Sequence, residues 1–492
     1  MMIKLYNTLS GKKEEFVPLQ PGKVTIYACG VTVYDYSHLG HARGAVAFDL
    51  IQRYFRRKGF DVTYVRNFTD VDDKIINRAK EEGVSAADVA RKYIDAYQED
   101  MKRLGVGRAD VEPKATEHIH EMIEVIQGLV RKGHAYVVDG DVYFSVASFK
   151  DYGKLSKRNL DDLKAGARVE VDERKQAPLD FALWKASKPG EPAWDSPWGP
   201  GRPGWHIECT AMGFKHLGTT FDIHAGGKDL VFPHHENEIA QSEAYSGKRF
   251  VNFWLHNGFV NINQEKMSKS LGNFFTIRDI LNEYDAEVVR LFLLSTHYRS
   301  PIDFSDANLK DARAGLDRFY TMKEAILKFL AGKRTPAVRP EDVIEVSDRP
   351  LYEKIQNLPN SFEEAMDDDF NTAFAIGLIY DLVRDINRFL SEVDRKNQDG
   401  AFFILVSAGA AFDDVGKTLG LFVRTPEEWF SEGRRTDAKV RLSVERIEEL
   451  IHLRNEARSR KDWPEADRIR KILDDGGVEL FDRPDGTVWK PK

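Results

Sequence analysis

Two cysteines, two histidine-bearing clusters and one pair of lysines concentrate the reactive chemistry of this chain. His38-Leu39-Gly40-His41 follows an apolar run by a short loop, and His41 opens what reads as a helix. Helix N-termini present unpaired N–H groups and a partial positive charge, so phosphate is welcome there. Gly40 lets a ligand come close to the backbone, and two imidazoles can donate to phosphate oxygens. Lys266-Met267-Ser268-Lys269-Ser270 places two lysines three apart on a serine-rich loop. Such a pair suits the negative charge that grows on a departing pyrophosphate. The histidine motif alone is weak evidence, and the lysine pair alone reads more simply as a solvated surface loop. Together the two point beyond those bland readings, toward phosphate handling.

The second cluster suits a metal. Within 229–244 a helix is expected to begin near Pro233, a residue favoured in a first turn. His234 and Glu238, four apart, then share a face, whereas His235 is turned by about 100° and reads as the poorer ligand. Cys209 lies in the segment 204–212, and Cys29 closes the first apolar run, where the ligands of parallel sheets gather. Two thiolates, one imidazole and one carboxylate suit tetrahedral zinc. Buried structural cysteines and a solvated helix face stay open as the alternative at this point, because no CxxC pair is present.

These residues need a frame. Residues 23–30 read as a buried strand, 41–59 as an amphipathic helix and 61–70 as a second strand, which predicts a βαβ unit with a parallel sheet. Residues 85–132 are helical and charged, and 134–146 read as a hairpin turning at Asp139-Gly140. The segment 185–205, with five prolines, four glycines and three tryptophans, is expected to be an ordered loop and neither helix nor strand. Strand-like 221–227 and 253–262 resume the α/β pattern, so the middle stretch reads as an insertion. From Asp306 the chain is mostly helical, with a surface excursion at 330–350 and no internal repeat.

The length of 492 residues predicts several domains. A composition of 42% hydrophobic and 31% charged residues is that of an ordinary soluble protein. No apolar run reaches the length of about 18 residues that spans a membrane, and the first residues lack the apolar core of a signal peptide. Cys29 and Cys209 make no disulfide framework, so a reducing cytoplasm is expected. A formal charge of −7 speaks against a protein coated all over in nucleic acid, though it leaves room for a local basic face.

The blocks "GVTVYDYSHLGHAR", "RNFTDVDDKI", "SPWGPGRPGWHIECTAM" and "FPHHENEIAQSEA", in that order, resemble the cysteinyl-tRNA synthetase family of class I aminoacyl-tRNA synthetases. "MDDDFNT" (366–372) and "ARSRKDWPEADRIRKIL" (457–473) are similar to that family's late segments. The resemblance implies a Rossmann-type α/β catalytic domain in two halves, 1–120 and 205–262, split by a connective insertion at 121–204. It further implies a stem-contact segment bearing the lysine motif at 263–320, an α-helical bundle at 321–433 and a small C-terminal anticodon-binding domain at 434–492. It implies zinc on Cys29, Cys209, His234 and Glu238, and ATP on His38, Gly40, His41, Trp205 and Lys269, with Mg2+. The amino acid, L-cysteine, would meet Gly30, Thr32, Thr69, Trp205, His224 and Asp229. Catalysis would rest on His38, His41, Lys266 and Lys269, and the partner would be tRNA(Cys), met by a monomer.

One departure from the family is Ala225, where glycine is usual, expected to tighten a turn. In 434–492, 15 Lys/Arg stand against 13 Asp/Glu, a net +2. Arg454, Arg458 and Lys461 are expected on one helix face, with Trp463 and Trp489 able to stack on bases. Two rival readings are a cysteine ligase of thiol-cofactor biosynthesis and a non-catalytic RNA-binding relative. The long chain beyond the lysine motif speaks against the first, and the intact motifs speak against the second.

Overall fold

The computed structural model describes residues 2–158, 174–262, 265–266, 275–436, 444–460, 462–483 and 486–491. A hairpin of β1 (Lys4–Asn7) and β2 (Lys12–Glu15) precedes β3 (Lys23–Thr32), which runs two residues beyond the predicted strand. Ile26, Tyr27 and Ala28 are all buried, as expected of a parallel strand covered on both faces. α1 (Leu39–Arg57) and β4 (Asp61–Thr69), parallel to β3, complete the βαβ unit that the pattern predicts. α2 (Asp73–Glu82), α3 (Ala86–Arg103) and α4 (Ile119–Arg131) follow.

β5 (Ala135–Val138) and β6 (Asp141–Phe144) form the expected hairpin. Asp139 and Gly140 take φ of 51° and 86°, the left-handed pair that a two-residue turn needs. β7 (Phe181–Ala186) and β8 (Gly201–Pro203) extend this into an antiparallel sheet ordered β5-β6-β7-β8. The expectation of no strand and no helix across 185–205 is therefore corrected at both ends. Lys185 and Ala186 finish β7, Gly201 to Pro203 form β8, and Trp205 opens a helix. Pro203 is tolerated because β8 is an edge strand, where a missing N–H breaks no ladder.

α5 (Trp205–Leu217), β9 (Phe221–Gly227), α6 (His234–Ser246) and β10 (Val251–Asn257) return to the main sheet. Its order is β10-β9-β3-β4, all parallel. From β3 the chain steps outward to β4, and from β9 it steps the other way to β10. The switch point lies between β3 and β9, where ligands of open α/β sheets bind. The run expected as one strand at 253–262 is two, because the chain breaks at Gly258, where a Cβ would stand 2.3 Å from the Ser300 carbonyl oxygen. β11 (Val260–Ile262) and β12 (Glu265–Lys266) follow, then α7 (Ile277–Glu283), α8 (Ala286–Leu294) and β13 (Ile302–Phe304), which pairs parallel to β11.

The rest is helical, as expected: α9 (Asp306–Leu330), a short α10 (Pro340–Val343), α11 (Arg349–Asp367), α12 (Thr372–Ser391), α13 (Gln398–Leu419), α14 (Pro426–Thr436), α15 (Val444–Ser459) and α16 (Trp463–Asp475). A terminal hairpin, β14 (Val478–Arg483) with β15 (Gly486–Pro491), was not expected. It changes the reading of two residues. Trp489, half-buried, packs on the small core of Ile447, Leu450, Ile469 and Leu473, and Arg454 is buried and so not open to a phosphate. Trp463 is exposed, and Lys461 lies outside the described residues.

Candidate active site

Cys29 sits at an irregularity of β3. Its register with β4 shifts between Ala28 and Val31, and the Gly30 N–H donates to Asn67 Oδ1 at 2.8 Å. A bulge of this kind re-aims a side chain next to a functional site. Gly30 is held so close to β4 that a Cβ would lie 1.6 Å from the Asn67 carbonyl oxygen. Opposite stand α5, carrying Cys209, and α6, carrying His234, His235 and Glu238. Every residue of α6 from His234 to Ser242 is buried, although most are polar. Burial of that kind requires partners. Glu236 accepts from the Gly153 and Ser156 N–H groups, and the Gln241 amide donates to Thr210 Oγ1.

Cys29, Cys209, His234 and Glu238 converge, their ligand atoms all within 4.8 Å of one another. The sulfurs are 3.6 Å apart, Cys209 Sγ is 3.7 Å from His234 Nε2, Cys29 Sγ is 3.5 Å from Glu238 Oε1, and His234 Nε2 is 2.9 Å from Glu238 Oε1. With bonds of about 2.3 Å to sulfur and about 2.0–2.2 Å to nitrogen or oxygen, tetrahedral edges run from about 3.3 to 3.8 Å. Three of the four separations match within about 0.2 Å and the fourth is shorter. The donor set fits zinc.

The electrostatics point the same way. Burial, then the neighbouring Cys209 and Glu238, push the Cys29 thiol well up. Cys209, accepting from that thiol, falls to about 6. Burial alone would lower His234, but Glu238 beside it lifts it to about 10. Burial would raise Glu238, yet His224 and His234 hold it well below the carboxylate range. One thiolate and one carboxylate thus face a single imidazolium in a buried site, a net negative charge that a cation relieves.

His235 departs from the sequence reading. It is turned away from His234 on α6, but Cys29 and β10 close the gap from other directions. His235 Nε2 lies 3.3 Å from Cys29 Sγ, and its Nδ1 pairs with His256 Nε2 at 2.8 Å. A second group of possible ligands, Cys29, His224, His235 and Glu238, results. Helix periodicity could not show this, because the missing partners come from separate strands. Burial keeps His235 and His256 neutral, the latter lowered to about 3.

His38 is the N-cap of α1. Its Nδ1 accepts from the Gly40 N–H at 3.1 Å, its own N–H donates to His41 Nδ1 at 3.3 Å, and the two rings stack with centroids 3.7 Å apart. Two imidazoles and a helix N-terminus thus share one corner, as the spacing predicts. The segment after the lysine motif is tied to that corner, since the Ile277 N–H donates to the Ser37 oxygen at 2.8 Å and Thr276 bridges to His38. Lys266 ends β12, paired with Asn261, while Lys269 lies outside the described residues.

The remaining predicted residues are distributed around the same end of the sheet. Thr32 and Thr69 are register partners at the ends of β3 and β4, and Thr69 Oγ1 donates to buried Glu208 Oε2 at 2.6 Å. Burial raises Glu208 well above the carboxylate range. Trp205 stacks on His234, centroids 4.2 Å apart, with 39% of its surface exposed. His224 is fully buried, with Nε2 2.7 Å from Glu238 Oε2. Asp229 is exposed in the turn after β9. Ala225, expected in a turn, is instead a buried position of β9, paired with Leu255 and Ala28. Its methyl packs inside the sheet. Asn67 and Glu208 lie inside blocks that carry the family resemblance, but neither was singled out from the sequence.

Residues 15–314 match the family described as "tRNA synthetases class I (C) catalytic domain", and residues 361–423 match the DALR domain. The chain is 58% identical to the cysteine–tRNA ligase of Geobacter sulfurreducens, over 100% of both chains. It is 55% identical to that of Pelobacter propionicus, over 99% of both. Among solved structures, methionyl-tRNA synthetase of Mycobacterium tuberculosis in complex with methionyl-adenylate aligns with a TM-score of 0.63 at 18% identity, covering 83% of this chain and 96% of that one. That likeness establishes a shared fold. Full-length identity at this level, with the catalytic and DALR domains in order, means that the chain belongs to the cysteine–tRNA ligases of the class I aminoacyl-tRNA synthetases.

Proposed function

We propose that Cys29, Cys209, His234 and Glu238 hold one zinc ion that selects the substrate thiol, and that His38, Gly40, His41, Lys266 and Lys269 handle ATP. They do so in a chain whose reaction is the ATP-dependent attachment of L-cysteine to tRNA(Cys). The observation that carries the metal reading is the convergence of two sulfurs, an imidazole and a carboxylate at near-tetrahedral separations beside the ATP corner. When bound, zinc supplies a thiophilic Lewis acid at the end of β3, where the side chain of an amino acid lying along the sheet ends would reach.

The reaction joins a carboxylate to a phosphate. The cysteine carboxylate attacks the α-phosphate of ATP, pyrophosphate leaves, and a ribose hydroxyl of the terminal tRNA adenosine then takes the acyl group. No covalent bond to the protein is needed, so the residues align and stabilise charge. Nδ1 of each stacked imidazole accepts a backbone N–H, so His38 and His41 donate to phosphate oxygens from Nε2, at the positive end of the α1 dipole. The two lysines, together with Mg2+ carried by ATP, balance the growing charge on pyrophosphate. Trp205 and Asp229 flank the amino acid at the sheet ends, Trp205 as an apolar wall and Asp229 as a carboxylate for its ammonium.

Four protein ligands usually make a closed structural site. Glu238 resolves this. Its second oxygen already accepts from His224 at 2.7 Å, so the carboxylate can loosen without being left unpaired. The chain is proposed to act as a monomer. Among the described residues, no helix is long and apolar enough to cross a membrane.

ATP–pyrophosphate exchange with each amino acid tests the substrate, and cobalt substitution tests the metal. Adding cysteine should produce sulfur-to-cobalt charge-transfer absorption, and adding serine should not. An active enzyme whose cobalt spectrum ignores cysteine would leave the metal a structural role only.

A further inference from the structure

The motif Met366–Thr372 lies far in sequence from the site and has no place in the chemistry above. It joins α11 to α12 inside the DALR domain, and each of its three aspartates holds a different part of the catalytic half. Asp367 accepts from Tyr54 at 2.6 Å near the end of α1, and Asp368 pairs with Lys13 of β2 at 2.6 Å. Asp369 is fully buried and takes the most partners. Its carboxylate accepts from the Tyr6 N–H at 2.9 Å, the Tyr298 hydroxyl at 3.0 Å and Arg299 Nε at 2.6 Å. Its own N–H donates to the Lys4 oxygen at 2.9 Å. Asp369 and Phe370 have φ of 65° and 53°, two consecutive non-glycine residues in the left-handed region. Such a conformation costs energy and persists where the surroundings over-determine it.

The loop that Asp369 grips, after α8, does one further thing. Its carbonyls at Thr296 and His297, at 3.1 and 2.8 Å, cage the guanidinium of Arg43 together with the Leu293 carbonyl at the end of α8. Arg43 is buried in the first turns of α1, two residues after His41, and among the described residues its guanidinium donates to carbonyl oxygens, that of Ser300 included. Carbonyl dipoles hold a guanidinium only where each one points at it, so this anchor depends on loop shape more than an ion pair would. The same loop also accepts the Gly258 N–H on the Tyr298 oxygen at 2.8 Å, on the approach to β11 and the lysine motif.

We propose that Asp369 is a positioning residue for adenylate formation. From the DALR domain it fixes the 296–300 loop, the loop fixes Arg43, and Arg43 sets the first turn of α1 where His38 and His41 meet ATP. This rests on the assignment of His38 and His41 to ATP made above.

The test is Asp369→Asn in the full-length, zinc-loaded protein. Asparagine is isosteric and tolerates the left-handed backbone, so the charge and one of the two acceptor oxygens are removed while the shape is kept. Single-turnover adenylate formation should fall by about 10- to 100-fold, the scale of a small misplacement at the reacting centre. Cysteine affinity should stay within about twofold, because the metal cluster lies on other elements. Arg43→Lys should give the same defect, and the double variant should be little worse than either single one, as for residues acting through one path. If Asp369→Asn fails to fold, Arg299→Lys carries the same expectation. Adenylate formation within twofold of wild type overturns the proposal, as do singles whose defects multiply in the double variant or a defect that merely follows the unfolded fraction. His41→Asn separates the two layers: if it leaves adenylation intact, the ATP assignment itself fails. If it abolishes adenylation while Asp369→Asn does not, only the positioning role fails.

Discussion

Gly30→Ala should disable the site through its geometry alone. A methyl at this position would stand 1.6 Å from the Asn67 carbonyl oxygen and 2.7 Å from its carbon. Both atoms are backbone of β4, so no side-chain rotation relieves the clash. Reaching an ordinary contact of roughly 3.5 Å needs β3 and β4 to part by about 1.9 Å. Cys29 is the adjacent residue, and its sulfur lies 3.6 Å from Cys209 Sγ and 3.5 Å from Glu238 Oε1. A shift of even half that size takes one of the four ligands out of reach. The strain should cost about 1–3 kcal/mol of stability, as overpacking does. Misalignment should lower adenylate formation by about 100-fold or more. Metal content after gel filtration, by mass spectrometry, and single-turnover adenylation are the assays. A Gly30→Ala protein with one zinc per chain and a rate within threefold of wild type would refute the close-approach argument.

Lys269→Ala should slow adenylate formation by about 10²–10³ while cysteine binding changes little, because its charge is needed mainly in the transition state; single-turnover rates within threefold would remove that role. Zinc uptake should expel protons. In the metal-free protein His234, lifted to about 10, and the Cys29 thiol, pushed up by burial, both hold a proton at pH 8, and a ligand must lose it. Zinc affinity should therefore rise with pH up to about 10, whereas the His234–Glu238 contribution to metal-free stability is full below pH 6.5 and lost as pH rises through about 10. Calorimetry in buffers of different ionisation heat checks this, and no proton release would contradict it. Removing 434–492 should spare cysteine-dependent pyrophosphate exchange and cripple tRNA charging; normal charging by the folded remainder would make that segment structural.

Legibility followed the range of the interactions. The βαβ unit and the hairpin at Asp139-Gly140 were readable because periodicity and turn chemistry are local. The helix at Pro233 was readable for the same reason, and so was the face shared by His234 and Glu238. The bulge that aims Cys29 was not, since Gly30 in isolation says nothing of Asn67 across the sheet. β8 escaped because its prolines match a loop, and only the edge position excuses them. The packing of Trp489 was not readable either, since a short terminal hairpin leans it, half-buried, onto the core of α15 and α16. His235 looked misplaced for a ligand, and tertiary contacts brought Cys29 to it.

That last contact leaves two donor sets that share Cys29 and Glu238, and the hydrogen bonds decide between them. His224 would join the second set through Nε2, but Nε2 is 2.7 Å from Glu238 Oε2. Glu238 is held as a carboxylate, which only accepts, so this contact puts a proton on Nε2, while Nδ1 faces the Tyr27 oxygen at 3.0 Å and the Ala225 nitrogen at 3.1 Å. His234 also meets Glu238, but through Oε1, the oxygen that faces Cys29, whereas His224 holds the other oxygen, Oε2. His224 is then the partner that orients Glu238, in the way carboxylate ligands are commonly held from behind. His235, spending its Nδ1 on His256, keeps only a place beside Cys29. The first set keeps both sulfurs, and softness favours it for zinc over a set with one. It also bears on specificity. Oxygen and sulfur differ too little in size for a pocket wall to separate serine from cysteine strongly, since small steric differences yield only about 10–200-fold. On the proposed reading, a metal held by two thiolates would prefer a third sulfur to a hydroxyl by chemistry, and the bulge at Cys29 would put it where that sulfur arrives.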